Sequence, residues 1–145
     1  MRQYLLDSAV LSAYLRGRPA TLALAQQWVH ASEATTSIVC VGEVAEYLKS
    51  FPDYPRHWQA FRTLLVRVHP YPLTYAIAQR YADLRRALRP PYGPGLIGDL
   101  DTLIAATAWE YGLTLVTTDG DFSRVPGLTV QVLLPGALRV SPPTP

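Results

Sequence analysis

Apolar positions along the chain follow two periods, and the changes between them mark out the elements. Gln3 to Leu6 is a short apolar run that stops at Asp7, and Ser8 to Leu15 then carries Val10, Leu11, Tyr14 and Leu15 at helical spacing. A strand and then a helix are expected, with Asp7 at the junction. Pro19 suits the first turn of a second helix reaching about Trp28, with Leu22, Leu24 and Ala25 inward. Thr36-Ser37-Ile38-Val39 reads as a strand end or a helix start. Val41 to Leu48 reads as a helix with Val44, Ala45 and Leu48 on one face and Glu43 in its first turn. Beyond Pro52 and Pro55, residues His57 to Leu65 are expected to be helical and Val66 to His69 a short strand. Tyr75 to Leu88 is amphipathic, with Ile77, Tyr81, Leu84 and Leu88 at helical steps, and Arg89-Pro90-Pro91-Tyr92-Gly93-Pro94-Gly95 is a loop by composition. A helix from Asp99 to about Tyr111 ends at Gly112. Leu113 to Thr118 is a buried strand running into a turn at Asp119-Gly120-Asp121, and Leu128 to Leu133 is the last strand.

Strands alternating with helices imply an α/β fold with a mostly parallel sheet between helix layers, and in such sheets ligands bind beyond the carboxyl ends of the strands. The 145 residues fit one domain with no internal repeat, expected over residues 1–134, with a proline-rich tail at 135–145. Apolar residues make up 49% and charged residues 17%, the balance of a chain that buries a core. No apolar run approaches the roughly 18 residues that span a bilayer, so no membrane role is expected. Ala23-Leu24-Ala25 imitates a signal-peptidase site, but Asp7, Arg16 and Arg18 interrupt the apolar stretch a leader requires, and a cytoplasmic protein is expected. The lone Cys40, flanked by Ile38, Val39 and Val41, is expected to be a buried thiol.

Four acids stand where an α/β sheet places chemistry. Asp7 follows the first strand, Asp119 follows the strand ending at Thr118, and Glu43 and Asp101 are expected in the first turns of their helices. Oxygen ligands without histidine or cysteine select a hard cation, Mg2+ or Mn2+, which can lower the pKa of a bound water and orient it towards a phosphodiester. Each acid also has a plainer role available. Asp7 can cap the following helix, Glu43 can complement a helix dipole, Asp99 or Asp101 can do either, and Asp119 can serve the turn beside Gly120.

The motifs around these acids resemble the PIN-domain ribonucleases, and among them the toxin half of VapBC-type toxin–antitoxin pairs. Asp7-Ser8 after an apolar strand is similar to the opening of that family, and Ser37-Ile38-Val39-Cys40-Val41-Gly42-Glu43-Val44 to its second acidic segment. The most specific match is Asp101-Thr102-Leu103-Ile104-Ala105-Ala106-Thr107-Ala108, followed by Gly112-Leu113-Thr114-Leu115-Val116-Thr117-Thr118-Asp119-Gly120-Asp121-Phe122. The resemblance implies a three-layer α/β/α fold and RNA cleavage with Mg2+ or Mn2+. It implies Asp7, Glu43, Asp101 and Asp119 as the catalytic set, with Asp7, Asp101 and Asp119 on the metal. It makes Thr117 the hydroxyl beside the metal site or an ordinary strand residue, and Asp121 an additional acid or a turn cap. Asp99 lies two residues from Asp101, so on a helix the two point about 160° apart, and the motif favours Asp101.

A formal charge of +2 comes from 13 basic and 11 acidic residues, and committing four acids to a cation leaves the remaining surface more basic. Arg80, Arg85, Arg86 and Arg89 cluster on and just after one helix, as a solvated face or as a phosphate-contacting rim for RNA. The resemblance further implies a VapB-like antitoxin partner and a homodimer, with Leu11, Leu15, Leu22 and Trp28 as groove lining or plain core. The alternative function is a non-catalytic antitoxin-binding or autoregulatory subunit, which a missing acid would favour, and none is missing. A receiver domain would need a lysine late in the chain, and Lys49 stands too early. A haloacid-dehalogenase-like phosphatase would need a second aspartate where Ala9 stands.

Overall fold

The structure, a computed structural model, describes residues 1–134; the expected tail lies outside the described residues. Ten regular elements follow in the order β1 (Tyr4–Leu6), α1 (Ser8–Leu15), α2 (Pro19–His30), β2 (Ala34–Thr35), α3 (Ile38–Leu48), α4 (Tyr54–Val68), α5 (Tyr75–Leu88), α6 (Asp99–Glu110), β3 (Thr114–Thr117) and β4 (Val130–Val132). A short 3-10 turn, Gly120–Arg124, separates the last two strands. The sheet has strand order β2-β1-β3-β4, and every pairing is parallel. Helices cover it to give the expected three-layer α/β/α arrangement.

The sheet core reads directly from its sequence. Leu5, Leu6, Leu115 and Val116 are fully buried, as strands covered on both faces require. Val10, Leu11, Cys40, Val44, Phe61, Ile77, Leu84, Leu88 and Ile104 close the core from the helices. Leu11 and Trp28 are core, with the Trp28 ring stacked 3.9 Å from that of Tyr4, while Leu15 and Leu22 are half-buried. Gly112, at φ +64°, ends α6 as expected, and Leu113 returns its amide to the Ala108 carbonyl.

Two stretches depart from expectation. Val66–His69 is not a strand: α4 runs on through Val68 and also begins three residues earlier than expected, with Pro55 tolerated in its first turn. Phe61, Leu64 and Val68 continue one buried helical face, and this periodicity outweighs the β preference of Val66, which is left 69% exposed. The helix stops at His69 in the left-handed region, φ +46°. The segment around Ser37 resolves as a helix start. Ser37 caps α3 by accepting from the Val39 amide, so α3 begins at Ile38 and Glu43 falls in its second turn, not its first. A helix-dipole role for Glu43 lapses with that placement, because the dipole acts over the first turn.

The strand order reverses between β1 and β3. Successive connections leave β1 in opposite directions there, which opens a crevice at the carboxyl ends of these two strands. Asp7 and Asp119 both stand at its mouth.

Candidate metal centre

Asp7 is the residue on which the site is built. Its amide bonds the Val116 carbonyl at 3.0 Å, extending the β1–β3 ladder one step and fixing its backbone. Its side chain is only 8% exposed. Oδ1 accepts the Ser8 amide at 2.8 Å, which caps α1, and Oδ2 accepts the Thr117 hydroxyl at 2.7 Å. Thr117 is fully buried, and its oxygen in turn accepts the Asp119 amide at 3.0 Å. Asp119 Oδ1 accepts the Asp121 amide at 2.9 Å, starting the 3-10 turn. One run of hydrogen bonds thus carries the ends of β1 and β3 into a single geometry.

Glu43 reaches the same place from α3, where its Oε1 accepts the Ser8 hydroxyl at 2.6 Å. Cys40, one helical turn earlier, lies fully buried with its Sγ 3.9 Å from Asp7 Oδ1. Ligand-type atoms of Asp7, Cys40 and Glu43 come within 4.8 Å of one another. Burial, then the Asp7 charge, pushes the Cys40 thiol up to about 12, so it stays a protonated, inert thiol as expected. Asp101, half-buried in the first turn of α6, has its pKa pushed up to about 6. The largest cause is burial, followed by the negative charges of Asp7, Asp119, Glu43 and Asp121. Asp101 thus lies within electrostatic reach of Asp7, Asp119, Glu43 and Asp121, while among the described residues the close group of ligand-type atoms is Asp7, Cys40 and Glu43, without Asp101 or Asp119.

The PIN domain model matches residues 4–128, which is most of the chain. The chain belongs to the PIN-domain family. No curated protein matches it by sequence. Among solved structures it is similar to a chain of VapBC2 from Rickettsia felis bound to a promoter DNA fragment, at 19% identity and a TM-score of 0.78, covering 90% of this chain and 98% of that one. A DNA-bound VapBC from Salmonella typhimurium gives 19% identity, a TM-score of 0.79 and the same coverage. FitAcB from Neisseria gonorrhoeae gives 24% and 0.74, covering 88% and 96%. At such identities the likeness speaks for the fold.

Within this PIN domain the remaining expected residues divide. Asp99 is exposed and points to α5, where Arg85 Nη1 lies 3.0 Å and the Tyr81 hydroxyl 3.4 Å from its Oδ1. It is thus held away from the cluster that its neighbour Asp101 joins. Arg80 pairs with Glu110 at 2.9 Å with its guanidinium over Trp109, and Arg86 lies over Tyr92, while Arg89 is exposed. The arginines of α5 are therefore largely engaged within the fold. Asp121 is exposed and pairs with Arg124 at 3.2 Å, which puts at the rim a basic residue that sequence reasoning missed. Ser8 was also missed as a partner of Glu43. Its neighbour Asp7 was flagged, but no spacing within a chain reveals a contact 35 residues away.

The donor set fits a hard divalent cation. Asp7 and Glu43 offer carboxylate oxygens at one crevice, each carboxylate oxygen of Asp7 keeps a lone pair beyond its single short hydrogen bond, and the burial and neighbouring negative charges that make Asp101 costly to ionise are what a cation offsets. No described helix is long and apolar enough to cross a membrane.

Proposed function

We propose that this PIN domain is a metal-dependent endoribonuclease and the toxin of a type II toxin–antitoxin pair. The observation that supports the nuclease reading is the meeting of Asp7 and Glu43 through Ser8 at the crevice between β1 and β3, with Asp101 within reach of the charges of Asp7, Glu43 and Asp119. Asp7, Asp101 and Asp119 hold Mg2+ or Mn2+. When bound, the cation would supply charge neutralisation at the phosphodiester and a bound water more acidic than bulk water and oriented towards phosphorus. The chain's own contribution is orientation. Thr117 and the Ser8 amide fix both oxygens of Asp7, the Asp121 amide fixes Asp119, and Glu43 completes the acidic set from α3. Phosphate contacts along the RNA fall to the exposed Arg89 and Arg86 more than to Arg80, Arg85 and Arg124, which are held in ion pairs.

The toxin reading is supported by the solved relatives, which include VapBC complexes from three bacteria. A VapB-like antitoxin segment has room beside the acids, in a cavity of about 220 Å³ lined by Ser8, Ala9, Ser12, Glu43, Val44 and Tyr47. An arginine of such a segment would pair with the carboxylates. The PIN domain acts as a homodimer in the cytoplasm.

Purified protein is expected to cut single-stranded or looped RNA with Mg2+ or Mn2+ and to stop in EDTA. Asp7→Asn and Asp101→Asn abolish cutting with the fold intact, and Asp99→Asn has a milder effect. Undiminished cleavage in the first two variants rules the mechanism out, and leaves the non-catalytic antitoxin-binding subunit as the surviving function. Expression with and without a small protein encoded immediately upstream tests the toxin reading separately: equal growth and equal RNase activity would remove it and leave the nuclease standing.

A further inference from the structure

We propose that Glu43 adds to the Asp7, Asp101 and Asp119 ligand set and that Ser8 is the positioning residue that ties it to Asp7 as one donor pair for the divalent cation, an inference that rests on the metal-dependent reading above. Ser8 serves the two acids with different groups. Its backbone amide donates to Asp7 Oδ1 at 2.8 Å, and its hydroxyl donates to Glu43 Oε1 at 2.6 Å. The hydroxyl also lies 3.4 Å from Asp7 Oδ1, but it has one proton to give, and the shorter contact takes it. Any residue but proline supplies the amide at this position, whereas the bond to Glu43 needs the side-chain hydroxyl, which alanine lacks.

The two acids differ in how firmly they are otherwise held. Asp7 is buried, short and anchored on both oxygens. Glu43 is half-buried, sits on a longer side chain, and among the described residues has no other hydrogen-bond partner. Like charges this close repel, and the side chain free to yield is Glu43. The cavity that Ser8, Ser12 and Tyr47 line beside it gives it somewhere to go. The Ser8 hydroxyl holds Glu43 against that repulsion, so that its carboxylate meets an incoming cation already in place. A charge-assisted O–H···O bond of this length is among the stronger ones available to a neutral donor.

The test is Mn2+ binding by calorimetry to the full chain as wild type, Asp7→Asn, Ser8→Ala and Ser8→Thr, each also melted in EDTA. Ser8→Ala keeps the amide to Asp7, so its melting temperature in EDTA should stay close to that of wild type. Its Mn2+ affinity should fall about 10-fold, the low end of what removing a hydrogen-bond partner of a metal ligand costs. Ser8→Thr, which retains the hydroxyl, should restore it. Wild-type or tighter Mn2+ binding by Ser8→Ala, with binding lost in Asp7→Asn, overturns the role of Ser8 alone. Wild-type binding by Asp7→Asn as well overturns the metal reading beneath it.

Discussion

Replacing Asp101 by asparagine keeps the shape of the side chain and removes a carboxylate that feels the negative charges of Asp7, Asp119, Glu43 and Asp121. Among the described residues nothing donates a hydrogen bond to this carboxylate, so the substitution sacrifices no specific contact. Its pKa is raised from 3.8 to about 6, by burial first and by Asp7, Asp119, Glu43 and Asp121 after it. Below pH 3.8 the group is neutral whether the chain is folded or not. As the pH rises through about 6, the folded protein must ionise it beside the other acids, while the unfolded chain has already done so at no such cost. Stability is therefore lost as pH rises across this window. The full shift is worth about 3 kcal/mol. Asp101 is half-exposed, and solvent screening reduces this to roughly 1.5 kcal/mol. In EDTA at pH 8, Asp101→Asn should melt about 5 °C above wild type, the shift such an energy gives in a domain of this size. At pH 4.5 only about a third of that gain should remain: the unfolded side chain is already mostly ionised there, but ionisation has so far lowered its free energy by only about 1 of the roughly 3 kcal/mol that the full shift represents. Adding Mn2+ at pH 8 should reverse the order by stabilising wild type and leaving the variant behind. Thermal melts followed by circular dichroism settle it. A variant that melts at or below wild type in EDTA at pH 8, or gains equally at both pH values, would refute the picture of uncompensated charge.

Thr117→Val should destabilise the domain by about 2–3 kcal/mol in urea unfolding, since it leaves buried Asp7 Oδ2 without its donor and the Asp119 amide without its acceptor, while Thr117→Ser should recover most of the loss. A loss under about 0.5 kcal/mol would mean the hydroxyl does not organise the strand ends. Cys40 should resist iodoacetamide at pH 8 in the folded protein and label promptly in guanidinium, given its full burial and a thiol pKa of about 12; rapid labelling of the native state would contradict both.

Much of the fold was legible because the local signals agreed with one another. The β1–Asp7–α1 junction, the amphipathic α5 and the end of α6 at Gly112 each combine a period with a breaker, and each is found where expected. Where local and long-range preferences compete, the sequence misleads. Val66 favours a strand, yet the buried face of Phe61, Leu64 and Val68 carries α4 past it, and only packing decides. Similarly, Ser37 and its neighbours read equally as a strand end or a helix start until the cap to Val39 is seen. The acids were legible because they sit at strand ends and early in helices, positions a one-dimensional pattern can mark. Which of Asp99 and Asp101 faces inward is also a question of helix phase, answered once Arg85 and Tyr81 draw Asp99 towards α5. Ser8 and Arg124 escaped because their partners are defined only in three dimensions.

The plain structural roles weighed for these acids turn out not to compete with a metal role. Asp7 does cap α1, and Asp119 does cap the 3-10 turn, each with one oxygen. A carboxylate has about four acceptor positions, and a cap uses one of them. Capping fixes the side-chain torsion, which a metal ligand needs as well: an aspartate already held by Ser8, Thr117 or Asp121 loses little further freedom when a cation arrives. Asp101, which no backbone amide holds among the described residues, is costly to ionise, by burial first and by the neighbouring acids after it. One arrangement thus stabilises the strand ends through Asp7 and Asp119 while leaving Asp101 costly to ionise, a cost that a divalent cation would offset.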